Sequence, residues 1–161
     1  MRCPVRVLFI CHRNAIRSQM AEGLLRRLGG RSFYVRSAGI QAEPVDLLVI
    51  EMMAKLGIDI SGHMSKSIDY VIGQDFDYII TLCSKAQLHL SEFSGCYEHL
   101  QWHLPDPTEF QGNDDNKRQL LRILCVDLIE RIRMWVDLIE GEKEQNREVG
   151  PDNVSQISGK Y

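Results

Sequence analysis

Long hydrophobic runs are absent from this sequence of 161 residues. A membrane-spanning helix needs about 20 consecutive apolar residues, and no stretch of the chain approaches that length. The amino terminus enters an apolar strand directly, without the hydrophobic segment of a signal peptide. These absences predict a cytoplasmic protein that makes no contact with a membrane.

An excess of positive charge is also missing, since the formal net charge is −3. Surfaces that bind nucleic acid are usually dense in lysine and arginine, so no nucleic-acid partner is expected. Hydrophobic residues make up 44% of the chain and charged residues 25%, which is the balance of a soluble globular protein. The length fits one domain with a substantial core, and we expect a monomer.

Cysteine is scarce and irregularly placed, with five residues in all: Cys3, Cys11, Cys83, Cys96 and Cys125. An odd number at irregular spacing does not form a disulfide framework, so each cysteine is either a core residue or a reactive thiol. Structural zinc sites carry pairs of ligands at short spacings. The histidines near Cys83 and Cys96 do not provide such pairs, so no metal site is expected.

Short apolar strands alternate with amphipathic helices over residues 1–141. Strands are predicted at residues 5–10, 32–37, 78–82 and 100–104, and helices at 17–28, 44–56 and 114–140. This alternation predicts an α/β fold of three layers, in which helices cover both faces of a doubly wound parallel sheet. Residues 142–161 are polar and lose the helical periodicity, so we expect a single domain followed by a disordered tail.

The most informative segment lies between the first strand and the first helix. The strand ends at Cys11, and Arg17 follows six residues later. In a doubly wound sheet, ligands bind beyond the carboxyl ends of the strands, which is where Cys11 lies. A thiol at the amino end of a helix and beside an arginine ionises more readily than a free thiol. The segment therefore predicts a thiolate nucleophile.

The loop after Cys11 is suited to hold a tetrahedral oxyanion. Its backbone N–H groups and the helix dipole favour an anion, and the guanidinium can give that anion two parallel hydrogen bonds. Ser18 is placed to hydrogen-bond the thiolate, and Asn14 to hold a strained turn, because asparagine tolerates a positive φ. We expect the oxyanion to bind against the loop residues His12, Arg13, Asn14, Ala15, Ile16, Arg17 and Ser18.

These residues resemble the low-molecular-weight protein tyrosine phosphatase superfamily. The pattern Cys11-x-x-Asn14-x-x-Arg17-Ser18 after a buried strand is similar to its phosphate-binding loop, and the following residues 19–23, Gln-Met-Ala-Glu-Gly, are similar to its arsenate reductase branch. Further similar segments lie at residues 37–39, 57–61, 80–83 and 102–107. The resemblance spans about residues 5–140 and implies a four-stranded parallel sheet with flanking helices.

The resemblance also implies roles for individual residues. Cys11 would be the nucleophile and Arg17 the clamp on the oxyanion, while Asn14, Ser18 and Ser37 would support the loop. Asp106, in an Asp–Pro step that alone is typical of a turn, would be the general acid that protonates a leaving oxygen. A carboxyl must be protonated to do this, and we expect apolar Trp102 and Leu104 to favour the protonated form.

Two functions share the first step of thiolate attack. In an arsenate reductase, a second thiol attacks the Cys11 sulfur, releases arsenite and leaves a disulfide. Cys83, at the carboxyl end of a neighbouring strand, is placed as the reductase branch places that second cysteine. The alternative is a protein tyrosine phosphatase, in which water hydrolyses a Cys11 phosphocysteine formed with Asp106 as the acid. Phosphatases that the chain resembles line the phosphotyrosine pocket with aromatic residues after the Asp–Pro step, and Thr108, Glu109 and Phe110 at these positions are poorly suited to that role.

The chain departs from the family at two informative positions. Thioredoxin-coupled reductases carry a third cysteine seven residues after the second, where this chain has Leu90. Cys96 is the nearest substitute, either as a resolving thiol or as an idle one. No bound cofactor is expected, and the reductant would be an external thiol system, thioredoxin or glutaredoxin with glutathione. Potassium-binding members have an acidic residue where this chain has Lys66, so the lysine would supply the positive charge itself.

Overall fold

The computed structural model describes residues 3–148 of the chain. Four parallel strands form its sheet in the order β2-β1-β3-β4. Their bounds are β1 (Val5–Cys11), β2 (Phe33–Gly39), β3 (Tyr78–Thr81) and β4 (Glu98–Gln101). The central strand β1 is continuously apolar and buried from Val7 to Cys11, because both of its faces are covered there. The chain passes from β1 to β2 on one side and later to β3 on the other, so the carboxyl end of β1 lies at the topological switch point.

Helices and short helical turns cover the sheet on both faces, which confirms the predicted three-layer α/β fold. The helices are α1 (Arg17–Gly29), α2 (Leu47–Lys55), α3 (Ser84–Gln87) and α4 (Asp114–Glu148). α1, α2 and α4 pack together on one face. α3 and two 3-10 turns, Ile68–Tyr70 and Leu90–Glu92, belong to the other face.

The alternation of side chains along the strands divides the core into two apolar clusters. Val7, Phe9 and Cys11 belong to the cluster beneath α1 and α4, which also contains both tryptophans as buried or partly buried members. Leu8 and Ile10 point the other way, into a cluster that includes Cys83. Cys11 thus belongs to the cluster on one face of the sheet, and Cys83, which lies after β3, packs in the cluster on the other face.

The start of α2 and the position of β4 differ from the prediction. α2 begins at Leu47 rather than residue 44, because the Asp46 side chain accepts a hydrogen bond from the Leu48 N–H at 2.9 Å and caps the helix. β4 occupies Glu98–Gln101 rather than residues 100–104. The Leu104 N–H still donates to the Leu82 carbonyl at 3.2 Å, so the chain after β4 stays beside the end of β3.

The last helix is longer than predicted. α4 continues through Gly141 to Glu148, so residues 142–148 of the predicted tail are helical, and residues 149–161 lie outside the described part. A glycine costs a helix only about 1 kcal/mol, and the residues after it are mostly good helix formers. The Lys143 ammonium also lies 5.3 Å from the centre of the Phe33 ring. Within residues 3–148, no helix combines the length and apolar character needed to span a membrane.

Candidate active site

The loop between β1 and α1 makes a tight turn at Asn14. This residue has φ 50°, in the left-handed region that asparagine tolerates. The end of β2 approaches the turn closely, since a Cβ added to Gly39 would lie 2.7 Å from the Asn14 backbone nitrogen. Glycine is therefore required at position 39 for the loop to sit against the sheet.

The carbonyl groups of the loop are bonded to the chain around it. Those of Cys11, His12, Arg13 and Ala15 accept hydrogen bonds from the N–H groups of Ile40, Gln41, Glu43 and Asp46 at 2.8–3.3 Å. The Asn14 carbonyl accepts from the Gln19 side chain at 3.1 Å. This strap, residues 40–46, was not identified from the sequence. The N–H groups of the strap occupy the carbonyl oxygens of the loop. An anion bound at the loop therefore meets the backbone N–H groups of the loop.

A buried polar network holds the loop from beneath. The Asn14 amide donates to the hydroxyl oxygens of Ser18 at 2.8 Å and Ser37 at 2.9 Å. Its carbonyl oxygen accepts from Gln19 at 3.0 Å and from the Lys66 N–H at 2.8 Å. The structure thus brings together the three residues predicted to support the loop, and every polar atom of the Asn14 side chain has a partner.

The Cys11 sulfur lies at the base of the loop. It is 2.9 Å from the Ser18 hydroxyl oxygen and accepts a hydrogen bond from the Asn14 N–H at 3.2 Å. Because Ser18 already accepts from the Asn14 amide, its own proton is free to point at the sulfur. These two donors stabilise a thiolate. The small pocket above the sulfur is lined by Arg13, Ala15, Ile16, Arg17, Asp106 and Thr108.

Arg17 and Asp106 form an ion pair at the side of this pocket. The Arg17 Nη2 and Asp106 Oδ2 atoms are 3.1 Å apart, and Arg17 Nη1 donates to the Leu104 carbonyl at 3.1 Å. The guanidinium is nearly buried, with a side-chain exposure of 5%. Asp106 and the Leu104 carbonyl fix the position of the guanidinium. Both lie far from Arg17 in the chain, so the spacing of residues in the sequence did not reveal these contacts.

The environment of Asp106 differs from the expectation that apolar neighbours would favour its protonated form. Burial does raise the pKa of this carboxyl, but two hydrogen bonds from Thr108 and the positive charges of Arg17 and Arg13 outweigh it. The pKa of Asp106 therefore lies below its ordinary value. The Trp102 ring packs instead on Phe9 and Trp135, at centroid distances of 5.9 and 6.2 Å.

Cys83 lies beside the loop, one residue beyond the hydrogen bond from the Leu82 N–H to the Ile10 carbonyl at 2.8 Å. It is 8% exposed and lines a cleft of about 330 Å³. The other residues of this cleft are His12, Arg17, Ser84, Lys85, His103, Leu104, Pro105, Asp106 and Glu109. Arg17 and Asp106 line the cleft and the Cys11 pocket alike, so their ion pair stands between the two cavities.

Cys96 is not brought to this site. It is exposed and lies two residues before β4, whose first residue pairs with Tyr78 at the start of β3. Cys96 therefore lies at the amino edge of the sheet, whereas Cys11 and Cys83 lie at the carboxyl edge. Within residues 3–148, no cluster of three or more His, Cys, Asp or Glu side chains is arranged to hold a metal ion.

Glu22 is a buried member of the network that sequence reasoning did not select. It is 2% exposed, accepts a hydrogen bond from Ser37, and pairs with Arg26 at 2.5 Å. The Lys66 ammonium lies 4.0 Å from the same carboxylate. Burial lowers the pKa of Lys66, and Glu22 opposes that change. The signal available in the sequence was a polar residue four positions after Ser18, on the same face of α1.

Comparison with known proteins agrees with this geometry. Residues 6–145 match the family described as low molecular weight phosphotyrosine protein phosphatase. This chain belongs to that family. The predicted family and its fold are thereby confirmed, and the match extends over nearly all of the described residues.

The similar family members with known functions include arsenate reductases. One from Halalkalibacterium halodurans is 33% identical over 131 residues, covering 81% of this chain and 94% of the relative. A glutaredoxin arsenate reductase of Synechocystis is 38% identical over 102 residues, covering 63% of this chain and 78% of the relative. A solved arsenate reductase in its phosphate-binding state has a TM-score of 0.71 and 32% identity, covering 84% and 98% of the two chains. The chain is an enzyme of this superfamily.

Proposed function

We propose that this protein reduces arsenate to arsenite in the cytoplasm, as a monomer. The observation that carries the proposal is the second thiol at the oxyanion site. Cys83 lies two residues after β3, the strand that pairs with β1, and its cleft shares Arg17 and Asp106 with the Cys11 pocket. The similarity to arsenate reductases supports the same conclusion.

The first step is attack of the Cys11 thiolate on arsenic. The loop N–H groups and the Arg17 guanidinium hold the oxygens, and the bond from Cys11 sulfur to arsenic forms as one oxygen leaves as water. Asp106, 3.1 Å from Arg17, supplies the proton for that oxygen. The Ser18 hydroxyl and the Asn14 N–H contact the attacking sulfur and hold it at the base of the loop.

The second step transfers electrons to arsenic. The Cys83 thiolate attacks the Cys11 sulfur, the sulfur–arsenic bond breaks, and its electron pair reduces arsenic from the +5 to the +3 state as arsenite leaves. The product is a Cys11–Cys83 disulfide. Cys11 ends β1 and Cys83 follows the neighbouring strand β3, so the two thiols lie at the same carboxyl edge of the sheet, where this disulfide would form.

The electrons come from an external thiol system. Cys96 lies at the opposite edge of the sheet, so it is not placed to receive the disulfide from Cys83. This arrangement favours direct reduction by glutaredoxin with glutathione, the coupling named for the Synechocystis relative, over a relay through a third cysteine to thioredoxin. No bound cofactor takes part in the proposed cycle.

Phosphotyrosine hydrolysis through a Cys11 phosphocysteine uses the same nucleophile, guanidinium and acid. The pocket above Cys11 is small and is lined mainly by loop residues and Thr108. Phe110, the aromatic residue nearest Asp106 in the chain after it, is 41% exposed and is not part of that lining. The geometry therefore favours a small inorganic oxyanion over an aryl phosphate.

A thiol map tests the proposal. Fully reduced protein is treated with arsenate or phosphate, quenched with an alkylating agent, digested and analysed by mass spectrometry. We expect a Cys11–Cys83 disulfide with arsenate and none with phosphate. Cys83→Ser should lose catalytic turnover, whereas Cys96→Ser, the matched control, should retain it. Alkylation of every cysteine after arsenate treatment would contradict arsenate reduction and favour the phosphatase function.

A further inference from the structure

The cleft beside Cys83 carries positive charge that the proposed arsenate chemistry does not use. Arg17 is paired with Asp106, whereas Lys85 and His103 have no ion-pair partner among the described residues and lie on the cleft with His12. Within that same part of the chain, the cleft also contains one unpaired carboxylate, that of Glu109, which would face the ammonium group of a ligand rather than its carboxylates. The His12 Nδ1 atom is buried and lacks a hydrogen-bond partner within the described part of the chain. Lys85 provides an unpaired donor for an anionic ligand, and the His12 Nδ1 atom provides another in the tautomer that carries its proton there.

The electrostatic field at His12 agrees with this geometry. Its pKa is lowered first by burial and then by the positive charges of Lys85 and Arg13, while Asp106 opposes them. The side chain therefore lies in a region where positive charge exceeds negative charge. An anion in the cleft would compensate that excess.

The position of the cleft also decides which sulfur an external thiol can reach. Cys11 is 2% exposed as a residue and lies at a pocket of about 10 Å³. The Cys83 side chain lines the larger cleft, which has room for a tripeptide-sized molecule. Of the two sulfurs, Cys11 is also the better leaving group, because Ser18 and the Asn14 N–H stabilise its thiolate.

We propose that this cleft binds a small thiol bearing carboxylates, of the glutathione class, and directs its attack to Cys83. The inference rests on the proposed arsenate reduction, because it concerns the disulfide that this reaction leaves. Lys85, His103 and His12 hold the carboxylates of the thiol beside the disulfide.

Two external thiols reduce the Cys11–Cys83 disulfide in two steps. The external thiolate attacks the Cys83 sulfur, a new disulfide joins the two, and the electron pair of the broken bond leaves on Cys11 as a thiolate. A second thiol, free or carried by a glutaredoxin, then attacks the mixed disulfide and releases the Cys83 thiolate, which takes up a proton. Two thiols are oxidised to one disulfide, and both protein thiols are restored.

The charge preference is tested on the isolated Cys11–Cys83 disulfide. This form is made with arsenate and, separately, with the oxidant diamide, so that the cleft can be tested even if arsenate makes no disulfide. Rates of reduction by glutathione, neutral 2-mercaptoethanol and cationic cysteamine are each divided by the rate on a small model disulfide. We expect the normalised rate with glutathione to be at least fivefold higher than the normalised rate with cysteamine. In the Lys85→Glu variant, the two normalised rates should be equal.

Lys55→Glu is the matched control, because it makes the same charge change on α2, where Lys55 pairs with Glu51 and does not line the cleft. It should leave the glutathione preference intact. Equal normalised rates for the three thiols, or an equal effect of the two variants, would overturn the charge-selective cleft.

The site of attack is read separately by quenching partly reduced protein with N-ethylmaleimide. We expect a species with glutathione on Cys83 and maleimide on Cys11, and the reverse pattern would overturn the directed attack. If the disulfide forms with diamide but not with arsenate, the proposed arsenate reduction is contradicted. The thiol preference and the site of attack can still be measured on the disulfide made with diamide.

Discussion

The Arg17 guanidinium and the Asp106 carboxylate, 3.1 Å apart, form the boundary between the Cys11 pocket and the Cys83 cleft. Without an oxyanion, the guanidinium helps to keep the pKa of Asp106 below its ordinary value. An oxyanion on the loop brings negative charge to the same guanidinium and opposes that effect. Substrate binding therefore moves Asp106 towards the protonated form that a general acid needs.

Asp106→Asn should slow the first chemical step, because an amide cannot donate the proton for the leaving oxygen. General acids contribute about 10²–10⁴-fold to rate, and we expect a loss in that range. The measurement is the single-turnover rate of Cys11–Cys83 disulfide formation with saturating arsenate. Glu109→Gln is a matched control on the rim of the same cleft, and a similar loss in both variants would contradict the role of Asp106.

Thr108→Val should shift the pH dependence of the same step. The Thr108 hydroxyl donates to Asp106 at 2.7 Å and helps to lower its pKa, so its removal raises that pKa. An acid is active when protonated, so the decline in rate with rising pH should move to higher pH in the variant. The check is a pH profile of the single-turnover rate, and an unchanged profile or a shift to lower pH would count against this assignment.

Gly39→Ala should disrupt the loop, since the new Cβ would lie 2.7 Å from the Asn14 backbone nitrogen. Overpacking of a tight site typically costs about 1–3 kcal/mol in the free energy of unfolding, and the displaced loop should also lose affinity for phosphate. Gly62→Ala is the control, because nothing lies within 4 Å of an added Cβ there. Denaturant unfolding and phosphate titration measure the two effects, and equal behaviour of the two variants would refute the close packing.

The sequence predicted the parts of this site that depend on local order. Cys11 at the end of an apolar strand and Arg17 at the start of a helix follow from periodicity and spacing, and the structure places both as expected. The strap of residues 40–46 and the bond from Arg17 to the Leu104 carbonyl join segments far apart in the chain. Backbone contacts of this kind leave no pattern in side-chain types, so a single sequence does not reveal them.

The pKa of Asp106 and the place of Cys96 could not be predicted for the same reason. The apolar neighbours of Asp106 in the sequence suggested a raised pKa, whereas the structure adds Thr108 and two arginines that lower it. Cys96 is close to Cys83 in sequence, but the register of β3 and β4 places it at the other edge of the sheet. Both depend on three-dimensional pairing rather than on composition.

Ser18→Ala should reduce the reactivity of Cys11, because the hydroxyl lies 2.9 Å from the sulfur and its proton is free to point at it. A hydrogen bond to a charged group contributes about 1.5–3 kcal/mol. Its loss makes the thiolate scarcer but also more nucleophilic, so we expect alkylation by iodoacetamide at neutral pH to slow by only a few-fold. Ser37→Ala is the matched control, since Ser37 contacts Asn14 and Glu22 but not the sulfur. Equal losses in the two variants would assign both serines to loop support alone.

Removal of residues 142–161 should destabilise the domain, although the sequence pattern placed the domain boundary at residue 141. The helical residues 142–148 include Lys143, whose ammonium lies 5.3 Å from the centre of the Phe33 ring. A cation–π contact at an exposed site is worth about 0.5–1 kcal/mol. The new terminus would also lie two residues after Ile139, which is 6% exposed and packs in the core, so the last turn of the shortened α4 would fray.

We expect the free energy of unfolding in urea to be about 1 kcal/mol lower for a chain ending at residue 141 than for one ending at residue 148. Lys143→Met in the full chain isolates the contribution of the charge, and equal stability of the two truncated chains would return the boundary to residue 141.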